Sequence, residues 1–147
     1  MPSATMARWP LAALAVLVLV AAGCGGRAKL GRVSGRVTYK GEPVPNGAIT
    51  FLPDESGPPA TGTIGPDGTY TLVTPDVGDG AVLGKHKVMI TALRVGPARG
   101  AEEKDPLPPP IIPPRFGNTS TSGLTAEVRE GANTIDFHLT DDMPPKK

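Results

Sequence analysis

The side chains able to do chemistry are few and scattered. The chain carries one cysteine, Cys24, and two histidines, His86 and His138. A single thiol excludes an intrachain disulfide and leaves one nucleophile or one attachment point. The two imidazoles stand 52 positions apart, and no second cysteine supports either of them. No spacing suited to a zinc site results. Neither Gly-x-Ser-x-Gly nor Gly-x-x-x-x-Gly-Lys-Ser/Thr occurs, so a hydrolase nucleophile elbow and a phosphate-cradling loop are both missing. Asp141-Asp142 is a carboxylate pair in a polar tail and reads as solvated. Asn118-Thr119-Ser120 has the form of a glycosylation sequon. These residues predict no catalytic group, no cofactor and no metal.

The cysteine has a telling position. Arg8 precedes an unbroken apolar run, Leu11 to Ala22, followed by Gly23 and Cys24. Twelve residues are too few to cross a bilayer, which needs roughly 20. A basic flank, a short apolar core and small residues at its end predict a secretory signal peptide over residues 1–23. The end of the run, Ala21-Ala22-Gly23-Cys24, resembles the lipobox of bacterial lipoproteins, with Ala21 where that family usually has Leu. The resemblance implies cleavage before Cys24, diacylglycerol on its thiol and acylation of the new amino terminus. Two or more acyl chains hold a protein on a membrane stably. Cleavage leaves 124 of the 147 residues, with 14 basic and 14 acidic side chains. Gly25, in place of an Asp after the cysteine, points by the same resemblance to an outer-membrane lipid anchor. Residues 24–32 read as a lipidated tether.

Glycine (19) and proline (18) make up about a quarter of the chain. That excludes a long-helix protein and, with no Gly-X-Y period, collagen. Either disorder or a turn-rich all-β domain remains. Alternation decides for β. In Val33 to Lys40, the residues Val33, Gly35, Val37 and Tyr39 share one face. Ala48 to Leu52 places Ile49 and Phe51 together. Ala60 to Ile64 and Thr69 to Val73 flank the turn Gly65-Pro66-Asp67-Gly68, with Tyr70 and Leu72 on one face. Pro75 to Leu83 reads as a loop carrying Val77 and Leu83 inward. In Lys85 to Leu93, His86, Val88, Ile90 and Ala92 alternate with Lys87, Met89, Thr91 and Leu93, so both faces are partly apolar, which suits a central strand. Leu124 to Val128 and Thr134 to Leu139 read as a final hairpin around Glu130 to Asn133. Residues 95–116 are proline-rich and predict a rigid crossover rather than a paired strand. The expectation is a small seven-stranded antiparallel β-sandwich over residues 33–140, with a polar tail at 141–147.

The stretch Val33 to Phe51 is similar to the opening of carboxypeptidase-regulatory-like domains, which share the transthyretin-like (prealbumin-like) sandwich. Gly65-Pro-Asp-Gly-Thr-Tyr-Thr-Leu72 resembles their Asp-Gly-x-Tyr-x-Leu hairpin, and Gly84 to Ile90 their next strand. The remainder of the chain resembles small planctomycete-type lipoproteins of this fold. Gly41, Pro43, Gly47, Asp67 and Gly68 are then structural turn residues, with positive φ expected at the three glycines. Related sandwiches include iron enzymes that use two Tyr and two His. Tyr39, Tyr70, His86 and His138 match that inventory by count and fail it by spacing. Other sandwiches form Lys–Asn isopeptide bonds, for which Lys40, Asn133 and Glu127 would be the trio. Lys40 lies at a turn, where a dry environment is not expected.

Near-equal charge, 15 basic against 14 acidic, gives no electrostatic case for nucleic acid. The functional expectation is a membrane-anchored, non-enzymatic lipoprotein of the cell envelope, structural or binding an envelope protein or glycan. The alternative is a carbohydrate- or peptide-binding accessory module, with Phe116 and Tyr70 as the aromatic contacts.

Overall fold

A computed structural model describes residues 28–92 and 110–142. The expected signal peptide, Cys24, most of the proline-rich crossover and the end of the tail lie outside the described residues. The strands are β1 (Leu30–Tyr39), β2 (Glu42–Pro43), β3 (Gly47–Pro53), β4 (Ala60–Ile64), β5 (Thr69–Thr71) and β6 (Val73–Thr74). They continue with β7 (Gly78–Asp79), β8 (Ala81–Val82), β9 (Gly84–Ala92), β10 (Leu124–Val128), β11 (Ala132–Thr134) and β12 (Phe137–Leu139). A single 3₁₀ turn, Pro114–Gly117, is the helical element among the described residues. Seven strands form the main path, in the order β10-β9-β3-β4-β5-β1-β11.

The path folds over at the β4–β5 hairpin into two layers, an all-β sandwich. Phe51 on β3 shows this directly. It is several strands away from β12 along the ladder, yet its ring meets Phe137 edge-on at 6.0 Å. The Tyr70 ring lies 6.5 Å away on the opposing β5. Period-two patterning places Ile49 and Phe51, Val88 and Ile90, and Val33 and Val37 in the shared core. Each such burial is worth about 1.5–3 kcal/mol. β9 is paired on both edges, to β3 and β10, as expected of a central strand, but only the His86, Val88, Ile90 and Ala92 face is buried; Lys85, Lys87 and Thr91 on the other are exposed.

The structure corrects several expectations. β1 begins at Leu30, so the last three residues of the expected tether are strand. Leu30 and Gly31 pair with Val82 and Ala81 of β8. The segment expected as a loop at Pro75 to Leu83 thus holds two short strands. Val77 is 43% exposed rather than inward, because it sits at the tip of the β6–β7 hairpin. The final hairpin does not exist. β10 pairs antiparallel with β9 in one layer. β11 and β12 pair parallel with β1 in the other. The reason is visible at Asn133. Its Nδ2 donates to the carbonyls of Arg32, Arg129 and Gly131, and its Oδ1 accepts the Arg129 N–H. These bonds staple a loop that carries the chain across the sandwich.

Candidate functional site

Among the described residues, reactive side chains converge at one place, the far end of β1. The β1–β12 register pairs Val37 with Phe137, Thr38 with His138 and Tyr39 with Leu139. Alternation turns Val37, Phe137 and Leu139 into the core and leaves His138 exposed. Thr38 Oγ1 and His138 Nδ1 share a hydrogen bond of 2.8 Å. The chain then turns at Lys40, which takes a left-handed φ of 52° while its N–H donates to the Leu139 carbonyl at 3.0 Å. That turn swings Lys40 toward Asp141. One Asp141 oxygen accepts the Tyr39 hydroxyl at 2.5 Å, and the other meets Lys40 Nζ at 2.5 Å. Arg115, from the 3₁₀ turn, donates to the Thr140 and Asp141 carbonyls at 2.6 and 2.8 Å. Its guanidinium lies 4.6 Å from the Phe116 ring centre.

The electrostatics follow from these contacts. Hydrogen bonds from Lys40 and Tyr39 hold the Asp141 carboxyl below its usual range. The Asp141 contact raises Lys40 and Tyr39 above theirs. A tyrosine held protonated in this way remains a hydrogen-bond donor to Asp141. Thr38 and His138 have the contact a nucleophile–base pair needs. A third group to orient the imidazole is absent from the described residues, because no hydrogen bond reaches Nε2. No group of three or more His, Cys, Asp or Glu side chains among the described residues could hold a metal.

The other anticipated residues are dispersed. His86 is fully buried beside Phe51, ring centres 5.7 Å apart. Its Nε2 lies 2.7 Å from the Val82 carbonyl. A carbonyl only accepts, so Nε2 carries the proton, and Nδ1 is left buried without a partner. Tyr70 donates to the Ile135 carbonyl at 2.6 Å, and burial pushes its phenol well above its ordinary value. The two-Tyr, two-His set is therefore not assembled. Phe116 and Tyr70, expected as exposed aromatic contacts, are 0% and 4% exposed and belong to the core. The isopeptide trio is separated too. Asn133 pairs with Val33 while Lys40 follows Tyr39, about 23 Å along the strand at the usual rise.

The turn residues divide into two kinds. Gly41 and Gly68 take φ of 87° and 81°. Gly47 does not have positive φ; Asn46 before it does, at 53°. A Cβ on Gly47 would lie 2.4 Å from the Thr91 carbonyl oxygen, so close approach is what needs glycine there. Asp67 Oδ1 accepts the Thr69 N–H at 3.1 Å and its hydroxyl at 2.7 Å, which closes the hairpin turn. Pro43 pairs with Thr38 on β1. Sequence reasoning missed the Tyr39–Asp141 meeting. The two are 102 positions apart, and nothing local marks Asp141 as more than a tail residue.

A neutral depression of about 730 Å³ lies on the outer face of β4 and β5, lined by Thr61, Thr63, Thr69 and Thr71 among others. It is distant in character from the charged cluster and holds no ionised side chain.

No protein family and no curated protein matches the chain. A solved structure, a DUF3823 family protein from Parabacteroides merdae, aligns with a TM-score of 0.41 and 18% identity. The alignment covers 76% of this chain and 46% of that one, so the chain spans less than half the length of that structure.

Proposed function

We propose that this chain is a lipid-anchored, non-enzymatic lipoprotein of the cell envelope whose sandwich is structural or binds a partner. The observation that carries the reading is Cys24, the only cysteine, closing the apolar run in Ala21-Ala22-Gly23-Cys24. The resemblance to carboxypeptidase-regulatory-like domains and to planctomycete-type lipoproteins belongs to the same reading, as does an outer-membrane location. The start of β1 at Leu30 supports it. Five residues separate Cys24 from Leu30, so the two lie at most about 22 Å apart. In this reading the start of β1 faces the lipid headgroups. The ten residues of β1 then carry the Tyr39–Lys40–Asp141 cluster about 30 Å outward. The far end is thus the surface a partner would meet.

The test is metabolic labelling with a palmitate analogue in a bacterial host, followed by envelope fractionation. The wild type incorporates label and sediments with membrane. Cys24→Ser is unlabelled and leaves the membrane fraction. If Cys24→Ser still sediments with membrane, the anchor reading is wrong. Turnover of any substrate that depends on His86 or His138 would overturn the non-enzymatic part.

A further inference from the structure

The chain has three asparagines, Asn46, Asn118 and Asn133, and only Asn46 is followed by glycine. Their surroundings differ sharply. Asn118 Oδ1 accepts the Ser120 N–H at 2.8 Å. The Asn133 amide is engaged on both its oxygen and its nitrogen. Each of these is followed by a threonine, Thr119 or Thr134, whose branched Cβ shields the next backbone nitrogen. Asn46 is exposed, and its amide makes no hydrogen bond among the described residues. The nitrogen after it belongs to Gly47, which has no side chain to shield it.

We infer that Asn46-Gly47 is a site of spontaneous backbone-directed deamidation in the folded protein. The Gly47 nitrogen attacks the Asn46 side-chain carbonyl carbon. A C–N bond forms, closing a five-membered imide. The Cγ–Nδ2 bond breaks, and ammonia leaves with the proton that Gly47 gives up. Solvent water then opens the imide. Attack at the main-chain carbonyl gives an isoaspartyl linkage; attack at the side-chain carbonyl gives aspartate. The balance is one amide and one water in, one acid and one ammonia out.

The consequence is set by what lies on either side. Val44 is buried, and its N–H donates to the Val37 carbonyl at 3.0 Å. Gly47 is held against the Thr91 carbonyl with no room for even a Cβ. It also opens β3, which is paired on both edges to β4 and β9. Only Pro45 and Asn46 lie between these fixed points, and the proline ring locks its own φ. The extra main-chain methylene of the isoaspartyl product has no slack to enter. Aspartate keeps the backbone length and tolerates the left-handed φ of 53° that asparagine already occupies. The two products therefore part: one adds only a negative charge, the other also strains the entry to β3.

The experiment is timed incubation of the purified full chain, folded, in mildly alkaline buffer, read by intact mass and peptide mapping. The expected result is an amide-to-acid mass gain located at Asn46 before any at Asn118 or Asn133. Isoaspartyl methyltransferase labels the same peptide. The Asn46→Gly variant, which keeps the left-handed backbone, shows no gain over the same period. The isolated isoaspartyl form melts at a lower temperature than the wild type, and Asn46→Asp does not. A gain that appears only in denaturant, a gain first at another asparagine, or the same gain in Asn46→Gly overturns the inference.

Discussion

Tyr39 donates its hydroxyl to Asp141 at 2.5 Å across 102 positions of chain. The same carboxylate takes Lys40 on its second oxygen. Lys40 and Asp141 side chains are 58% and 50% exposed, so water and salt screen the pair. The contact matters for geometry more than for energy, because it fixes the end of the described chain to the end of its first strand.

The latch has a defined pH window. Asp141 is lowered, so its contribution is present above the ordinary carboxylate pKa and is lost as pH falls through the lowered value. Lys40 and Tyr39 are raised, so theirs is present below their ordinary values and is lost as pH rises through the raised ones. Thermal melts of Asp141→Asn should show a lower midpoint than wild type between these limits. The two curves should converge in acid, and high salt should shrink the gap.

Two glycines of β1 and its turn separate crowding from conformation. A Cβ on Gly35 would lie 1.8 Å from the Ile135 carbonyl oxygen and 3.1 Å from Tyr70 Cε1. Gly41 has φ of +87° with open space around it. Gly35→Ala should cost on the order of 3 kcal/mol or more, because backbone must move. Gly41→Ala should cost roughly 1–2 kcal/mol, the left-handed penalty alone. Urea denaturation of both variants checks the order; equal losses would contradict it.

Phe51 contacts Tyr70, His86 and Phe137 and is fully buried. With so few aromatics in the chain, that cluster is the centre of the core. Phe51→Ala should lose about 3–5 kcal/mol. Val73, 45% exposed, serves as the surface comparison: Val73→Thr should stay within about 0.5 kcal/mol.

The Asp67 turn gives an acid-dependent signal. Hydrogen bonds from the Thr69 hydroxyl and N–H hold the Asp67 carboxyl below its usual value. Its contribution is therefore present at neutral pH and is lost as pH falls through that lowered value. Asp67→Ala should melt below wild type at neutral pH and match it in acid. An unchanged difference across that range would show that the turn does not depend on the carboxylate charge.

Faces were readable from the sequence; partners were not. The alternation of Val33 and Val37, of Ile49 and Phe51, and of Val88 and Ile90 marks inward residues correctly, since burial follows a period of two. The Gly65–Gly68 turn was legible because Asp67 and Gly68 each do something local. Period two does not say which strand lies alongside. Leu124 to Val128 and Thr134 to Leu139 resemble hairpin arms on pattern alone. They go to opposite layers because Asn133 binds the loop between them and the Arg32 carbonyl. Phe116 looked available in a proline-rich stretch, and it is core because the 3₁₀ turn tucks it inward. The far-end cluster was invisible for the same reason as the strand pairing: its members meet through a parallel register a hundred residues wide.

β1 pairs with β2, β5, β8, β11 and β12. Among the described strands it comes first along the chain, and two of its partners come last. Contacts of such sequence separation make folding slow, since long loops must close before any of the gain is realised. β1 therefore cannot gain all of these partners until residues 132–139 have been made. Truncation before Phe137 would leave the far end of β1, Val37 to Tyr39, without its parallel partner whatever the rest had achieved.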